Sequence, residues 1–381
     1  MLTLCKINFV LVLVWCTAGS ATLANDTFTS SLERLAAVDT SDSPDAVAAA
    51  WKVVATTDLR QLPQVLAAID SSQPVAANWL RAAADAMAER GLAHDQPLPI
   101  AELEQFVANQ RHDPRARRLA FEWLRKAQPQ RAESLIPAML QDPSVELRRE
   151  SVALRMEQAE RSQKAGEREQ AIAAYRQALA GARDEDQVKE LAKRLRGLDQ
   201  QIDLPQHFGF IQKWQLIAPF DNTGQTGLER VYPPETEINL QAEYAGKGEP
   251  ARWQAFVGQD DFGLIDFNKP FGQLKEVVGY AWTEFQSDAA RPVELRLGCK
   301  NAWKVWLNGQ LLFSRNEYHR GMQLDQYRLP GELKPGTNEI LVKLCQNEQT
   351  ESWTVEWQFQ LRVCDSTGTA ILSGTLPPAV E

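Results

Sequence analysis

The sequence predicts a protein in two parts, an α-helical half followed by an all-β half. From residue 27 to 198 the chain is rich in Ala, Leu, Arg, Glu and Gln, and apolar residues recur three and four positions apart, which is the period of an amphipathic helix. After Leu204-Pro205 it becomes rich in Trp, Phe, Val, Gly, Pro and Asn, in short alternating runs between turn residues, as in strands. We therefore expect helices over residues 27–200, strands over 206–375 and a tail at 376–381.

The first 24 residues have the layout of a secretory signal peptide. Lys6 precedes an apolar stretch that ends at Cys16, and small residues continue to Ala24. Cleavage is expected after Ala24 or Ala21. Cys16 also stands where a bacterial lipoprotein carries its lipid, although Trp15 is larger than the residue which that motif has there. An apolar run of about ten residues is half of what a spanning helix needs, so we expect a secreted or periplasmic protein without a transmembrane anchor.

The charge of the chain excludes one class of partner. The formal net charge is −9, and removal of the signal peptide with its single Lys6 makes it −10. An acidic chain with scattered basic residues offers no surface for the phosphates of nucleic acid. We therefore expect no nucleic-acid partner.

The cysteines allow at most one intrachain bridge after cleavage, because three remain: Cys299, Cys345 and Cys364. Cys299 and Cys345 both close apolar strand patterns, which favours them as the pair. Buried free thiols are an equal alternative, since isolated cysteines are commonly core residues.

Internal repeats mark the helical half. The segment 135–154 holds an early proline, Pro137, then the turn Asp142-Pro143 and a second helix with Arg148 one turn inside it. Weaker copies occupy residues 62–87 and 113–124. Each turn aspartate can cap the helix after it, and proline suits a first helical position. The pattern resembles a HEAT repeat and implies a solenoid of stacked helix pairs.

A second repeat type follows in the helical half. Residues 165–179 resemble the second half of a tetratricopeptide repeat, with small residues at Ala171 and Ala178 and larger ones at Tyr175 and Leu179. One such unit is expected at about residues 156–185. Solenoids of this kind usually bind a protein partner on the concave face, and the alternative of a plain spacer stays open.

The β half is predicted to be a jelly-roll-type sandwich of many short strands separated by turns. A first strand runs into a turn at residues 219–222. The others are expected at 252–257, 263–267, 277–286, 293–297, 303–307, 310–313, 339–344 and 352–363.

Two turns carry a family resemblance. Asn308-Gly309 between alternating apolar runs predicts a tight hairpin, because both turn positions need positive φ. The run 335–338, Pro-Gly-Thr-Asn, predicts a turn before a buried strand. Over residues 219–368 this resembles the non-catalytic sugar-binding sandwich of family-two glycoside hydrolases and related galactose-binding-like modules. The hairpin is also similar to a protective-antigen-type lectin module, but residues 299–302 lack its calcium-binding carboxylates, so no metal is expected.

Eleven tryptophans invite a carbohydrate-binding interpretation, since a sugar stacks its apolar face on exposed rings. Tryptophans within strand patterns are expected in the core, namely Trp214, Trp253, Trp306 and Trp357. The candidate ligand-binding residues lie in or beside polar loops: Trp303, Tyr318, His319, Arg320 and Trp353.

Enzyme motifs were not found. The four histidines lie far apart without metal-ligand spacing, and the chain has neither a Gly-x-Ser-x-Gly elbow nor a glycine-rich phosphate loop. Glu243 with Asp260 and Asp261 would supply the carboxylates of a glycosidase, but solvated loops are the preferred interpretation. We expect no catalysis and no cofactor.

Two functional hypotheses follow. In the first, the chain is an exported binding protein whose sandwich recognises a glycan or cell-envelope component, while the helical repeats dock a protein partner. In the second, it is a structural or assembly protein that acts through the repeats, with an inert sandwich.

Overall fold

The computed structural model describes residues 16–374. Most of the predicted signal peptide, residues 1–15, and the predicted tail, 376–381, lie outside the described residues. Helix α1 (Cys16–Ala36) spans both expected cleavage positions. Within residues 16–374, no helix combines the length and apolarity needed to cross a membrane. The chain divides into two compact units between Gln158 and Ala159.

Helices form the first unit, in agreement with the predicted helical half. After α1 they are α2 (Pro44–Thr56), α3 (Leu62–Ala67), α4 (Pro74–Ala93), α5 (Ile100–Ala108), α6 (Pro114–Ala127), α7 (Pro129–Leu135) and α8 (Val145–Lys164), which ends in the second unit. Short 3-10 turns occupy Leu59–Gln61 and Ile136–Met139. Proline opens four of these helices, as its fixed φ and missing N–H allow. Helix α2 packs on α1 and α4, and α6 packs on α3 and α5.

The turn aspartates of this unit have different roles. Asp113 accepts a hydrogen bond from the Arg115 amide at 2.8 Å and caps α6, as predicted. The capping prediction is wrong for Asp70, whose carboxylate instead accepts the Asp113 amide N–H of the next turn at 2.7 Å. Asp142 accepts the amide N–H of Ser144, the residue before α8, at 2.8 Å, and the same carboxylate also binds Arg117. Ser144 Oγ lies 3.4 Å from the Leu147 amide nitrogen.

Arg117 and Asp142 form a buried ion pair in the first unit. Both side chains are almost completely enclosed. The Arg117 guanidinium donates to the two carboxylate oxygens at 2.7 and 2.6 Å and to the Val107 carbonyl. Arg148 donates to the Asp142 carbonyl at 3.0 Å. These bonds join α5, α6 and the turn before α8 into one network, and they satisfy charges that would otherwise be costly to bury.

The second unit begins with helices. They are α9 (Arg168–Gly181), α10 (Glu185–Arg196) and α11 (Leu204–Phe208), with a short α12 (Asn268–Phe271) between strands. The small residues Ala171 and Ala178 are fully buried, and α9 packs on α10. In α11, His207 Nε2 lies 3.0 Å from the Ala182 carbonyl oxygen. Burial, and then the charge of Arg183, lowers the pKa of His207 to about 4.

Eleven strands follow in the described residues, and every pairing is antiparallel. The larger sheet has the order β2-β3-β1-β5-β10-β7-β8 and the smaller one the order β4-β11-β6-β9. Their bounds are β1 (Lys213–Asp221), β2 (Glu243–Tyr244), β3 (Ala251–Val257), β4 (Leu264–Asp266), β5 (Val277–Ser287), β6 (Arg291–Cys299), β7 (Ala302–Leu307), β8 (Gln310–Arg315), β9 (Tyr327–Leu333), β10 (Gly336–Gln346) and β11 (Gln358–Cys364). Short 3-10 turns lie at Thr223–Leu228, Pro233–Glu235 and Ser352–Thr354.

The two sheets share one hydrophobic core. Trp214 from the larger sheet meets Phe359 from the smaller one edge to face, with ring centroids 5.2 Å apart. Trp357 is completely buried in the same core. The prediction that these two tryptophans are structural is therefore confirmed. A second cluster, on the outer face of the larger sheet, contains Phe220, Tyr232 and Tyr280.

The predicted hairpin is confirmed. Asn308 and Gly309 have φ of 52° and 78° and connect β7 to β8. The second predicted turn touches it, because Asn308 donates to the amide oxygen of the fully buried Asn338 at 2.9 Å. One expected strand is shorter than predicted: residues 352–354 form a 3-10 turn and the strand starts only at Gln358.

Candidate functional site

Trp303 is in the core rather than beside a loop. Its side chain is 0% exposed, and its ring lies 4.9 Å from that of Tyr327 and 5.7 Å from that of Phe313. Successive residues of a strand point to opposite faces, and Trp303 shares the inner face of β7 with the buried Val305. A ligand cannot stack on this ring.

Three of the other predicted residues, Tyr318, His319 and Trp353, lie together, and we call them the rim cluster. Trp353 is 58% exposed. Its ring stands at 87° to the His319 ring, with centroids 5.6 Å apart, and the rings of Tyr318 and His319 are 6.1 Å apart. Arg320 is exposed and pairs with Glu317 at 3.0 Å, so it borders the cluster by sequence and not by a ring contact.

Hydrogen bonds fix the rim cluster to the larger sheet. His319 Nε2 lies 2.7 Å from the Asn347 side-chain oxygen, which also accepts the Gln349 amide N–H, so His319 is the donor. The Tyr318 hydroxyl accepts from the buried Asn222 at 3.1 Å. Burial raises the pKa of Tyr318, so this phenol stays neutral. His319 has a φ of 57°, a left-handed conformation that is uncommon outside glycine and often found at binding sites.

Polar side chains adjoin His319 and its partner Asn347. Glu348 follows Asn347 and accepts from the Gln225 amide at 3.2 Å. Arg320 follows His319 in sequence and Glu348 follows its partner Asn347, so donors and acceptors lie near the histidine whose ring meets that of Trp353. An exposed indole can stack on an apolar face of a ligand while such groups hydrogen-bond its hydroxyls.

The remaining predicted sites carry structural interactions. Cys299, Cys345 and Cys364 are free thiols and buried, which matches the alternative to a bridge. Burial raises the pKa of Cys299 and of Cys345 to about 12. Throughout residues 16–374, no group of three or more His, Cys, Asp or Glu side chains is placed to hold a metal ion.

The carboxylates that a glycosidase would need are engaged elsewhere. Glu243 pairs with Arg252, and Asp261 pairs with Arg196 at 2.8 Å. Asp260 accepts the Phe262 amide N–H and lines a cleft of about 580 Å³ beside α10 and the smaller sheet. No residue of the rim cluster lines that cleft.

Sequence reasoning missed a pocket on the outer face of the larger sheet. Trp282 on β5, Leu341 on β10 and Trp306 on β7 are direct cross-strand neighbours, and all three line a pocket of about 120 Å³. Trp306 was expected in the core, but it is only half-buried. Trp303, three positions earlier on β7, lies on the inner face. Because side chains alternate along a strand, Trp306 is therefore expected on the outer face.

Comparison with known proteins adds little. No protein-family model and no curated protein matches this sequence. A solved structure, the GH31 alpha-xylosidase from Xanthomonas citri, is similar over 30% of this chain and 14% of its own, with 8% identity and a TM-score of 0.17. A likeness at that TM-score carries no argument about fold or function.

Proposed function

We propose that this protein is an exported, non-catalytic binding protein whose two packed sheets form a jelly-roll-type sandwich that recognises a carbohydrate or a cell-envelope component. The observation that carries the proposal is the ring of Trp353, 58% exposed and backed by His319. Tryptophan is among the residues enriched at the centres of binding surfaces, because its large ring offers much contact area.

The surroundings of Trp353 support a hydroxyl-rich ligand. Arg320, next to His319 in sequence, supplies donors, while Gln225 and Glu348 supply both donors and acceptors. Because His319 is held by Asn347 and Tyr318 by Asn222, the edge of the site is preorganised. A preorganised site loses less side-chain entropy on binding than a mobile one.

The helical residues 27–200 are proposed to be a short solenoid of HEAT-like turns with one tetratricopeptide-like unit, which docks a protein partner. The support is the linkage between successive turns: Asp70 accepts from Asp113, and Arg117 binds Asp142. This linkage also favours the second hypothesis, a structural protein that acts through its repeats with an inert sandwich.

A glycan array probed with the full mature chain tests the first proposal. The Trp353→Ala variant should lose at least about tenfold in affinity, which is about 1.4 kcal/mol. Phe313→Ala is the matched control, because Phe313 is 43% exposed on β8 and outside the rim cluster. Loss in Trp353→Ala alone supports the proposal. A blank array with the folded protein, or equal loss in both variants, counts against it and favours the structural role.

A further inference from the structure

The outer face of the larger sheet carries a slot lined by two tryptophans of the sheet and by residues 234–238. Trp282, Leu341 and Trp306 lie in one cross-strand row. Neighbouring strands are about 4.8 Å apart, so the strand positions of the two tryptophans are about 10 Å apart with Leu341 between them. The pocket volume of about 120 Å³ corresponds to about four water molecules at their liquid volume. That is the size of a small head group.

Carboxylates without a counter-charge border this slot. Glu237 and Glu339 line the pocket, and Glu339 stands directly opposite Glu284 in the pairing of β10 with β5. All three side chains are exposed, and none has an ion-pair partner among the described residues. Like charges placed directly opposite in a sheet are destabilising. The arrangement is relieved when a cation lies against it.

The nearest cations of the sheet do not supply that charge. Lys343 and Lys304 occupy the next row of the same face, beside Tyr280. Lys343 is held by Glu235 at 2.7 Å, and Lys304 by Glu229 at 2.8 Å. Each of these amines therefore neutralises its own carboxylate, and the negative charge of Glu237, Glu284 and Glu339 remains.

Trp282 provides a further observation. It is 9% exposed, and its indole N–H has no hydrogen-bond partner in the described part of the chain. Buried tryptophan N–H groups usually find one. Trp282 lines the pocket together with Trp306, Leu341, Glu339 and residues 234–238.

We propose that the slot lined by Trp282 and Trp306 binds an alkylammonium group. A cation over an indole face is attracted by the ring quadrupole, and tryptophan is the best aromatic residue for this contact. The carboxylates of Glu237, Glu284 and Glu339 add charge attraction, while the Leu341 floor contacts the methyl or methylene groups. An anionic ligand would be repelled, and a neutral one would leave the carboxylates unpaired. The site shares no residue with the rim cluster and takes a different ligand class.

Titration of the full mature chain with choline, followed by NMR of the choline methyl signal, tests this site. The neutral isostere 3,3-dimethylbutan-1-ol has the same shape without the charge. It should bind at least about fivefold more weakly, which corresponds to a cation–π contribution of about 1 kcal/mol. Nα-acetyl-lysine methylamide, titrated in parallel, shows whether a lysine side chain or a quaternary ammonium is the better occupant.

Three variants locate the site. Glu339→Gln should weaken choline binding about threefold or more, because one of the bordering charges is removed. Glu332→Gln on β9 is the matched control and should leave it unchanged, since Glu332 is exposed on the smaller sheet. Trp306→Leu should abolish binding, with circular dichroism as the check on folding; if it misfolds, the two glutamate variants still decide.

Two results would overturn the proposal. Equal affinity for choline and its neutral isostere would show that the slot binds through apolar contacts alone. Absence of choline binding at about 50 mM, where a millimolar site is saturated, would show that the slot holds no cation. Neither result bears on the glycan-binding proposal, because Trp353 does not line this slot.

Discussion

Replacement of Lys343 by Met is expected to destabilise the second unit by about 3–5 kcal/mol. The Lys343 side chain is completely buried, and its ammonium donates to the Leu228 carbonyl at 2.9 Å, the Arg230 carbonyl at 2.7 Å and the Glu235 carboxylate at 2.7 Å. Met fills the space of the lysine stem. It leaves two carbonyls unpaired at about 1 kcal/mol each, and a carboxylate without its cation at about 1.5–3 kcal/mol.

Urea unfolding followed by near-ultraviolet circular dichroism measures this loss. Lys300→Met is the matched control, because Lys300 pairs with Glu356 but is 27% exposed, and such a pair contributes at most about 1 kcal/mol. The double variant Lys343→Met with Glu235→Gln removes both charges. It should be more stable than Lys343→Met alone by at least about 1 kcal/mol, because no uncompensated charge stays buried.

The reasoning fails if Lys343→Met costs less than about 1 kcal/mol, the value of a surface pair. It also fails if the double variant is less stable than Lys343→Met, since Glu235 would then not depend on the amine. Burial lowers the pKa of Lys343 and the Glu235 carboxylate partly offsets this effect. Through its bonds to Leu228, Arg230 and Glu235, Lys343 holds residues 228–235 against the outer face of the larger sheet, next to the slot.

Three further predictions concern pH, charge and thiol reactivity. Because the folded pKa of His207 is about 4 and an unfolded histidine titrates near 6.5, the contribution of His207 to stability should be constant above pH 6.5, fall by up to about 3 kcal/mol towards pH 4 and level off below. His207→Asn should flatten that slope in urea unfolding, and an unchanged slope would contradict the assignment. Glu339→Lys should raise the free energy of unfolding by about 0.5 kcal/mol through a pair with Glu284; a decrease would show that the two carboxylates do not repel. Native Cys299 and Cys345 should resist Ellman's reagent at pH 8 until urea unfolds the chain, whereas rapid native labelling would disprove their burial.

Strand prediction succeeded where side-chain alternation is regular and failed where proline interrupts it. Strand β9 was missed because Pro330-Gly331 reads as a turn. The smaller sheet tolerates Pro330 because β9 is its edge strand and pairs only with β6. On the open side of an edge strand, no neighbouring strand needs the N–H that proline lacks. Pro219 was likewise expected to end the first strand. Strand β1 continues through it, at the point where the pairing with β5 shifts register.

The candidate site was predictable only in part. The loop residues Tyr318, His319 and Trp353 were identified from polarity and aromatic content, and the structure brings their rings together although 34 positions separate His319 from Trp353. Trp303 was misplaced for a local reason: Lys300 and Asn301 before β7 are polar and suggest a loop, yet Asn301 and Ala302 are already buried.

By itself the sequence determined the local features of this protein: helices in the first half, strands in the second, and the Asn308-Gly309 hairpin, because each depends on residues close together along the chain. Only the tertiary structure decided which tryptophans are enclosed and which carboxylates face one another. Glu284 and Glu339 are opposed solely through the register of β5 with β10. Such register is set by the packing of two whole sheets, and a one-residue slip would turn every side chain of a strand to the other face.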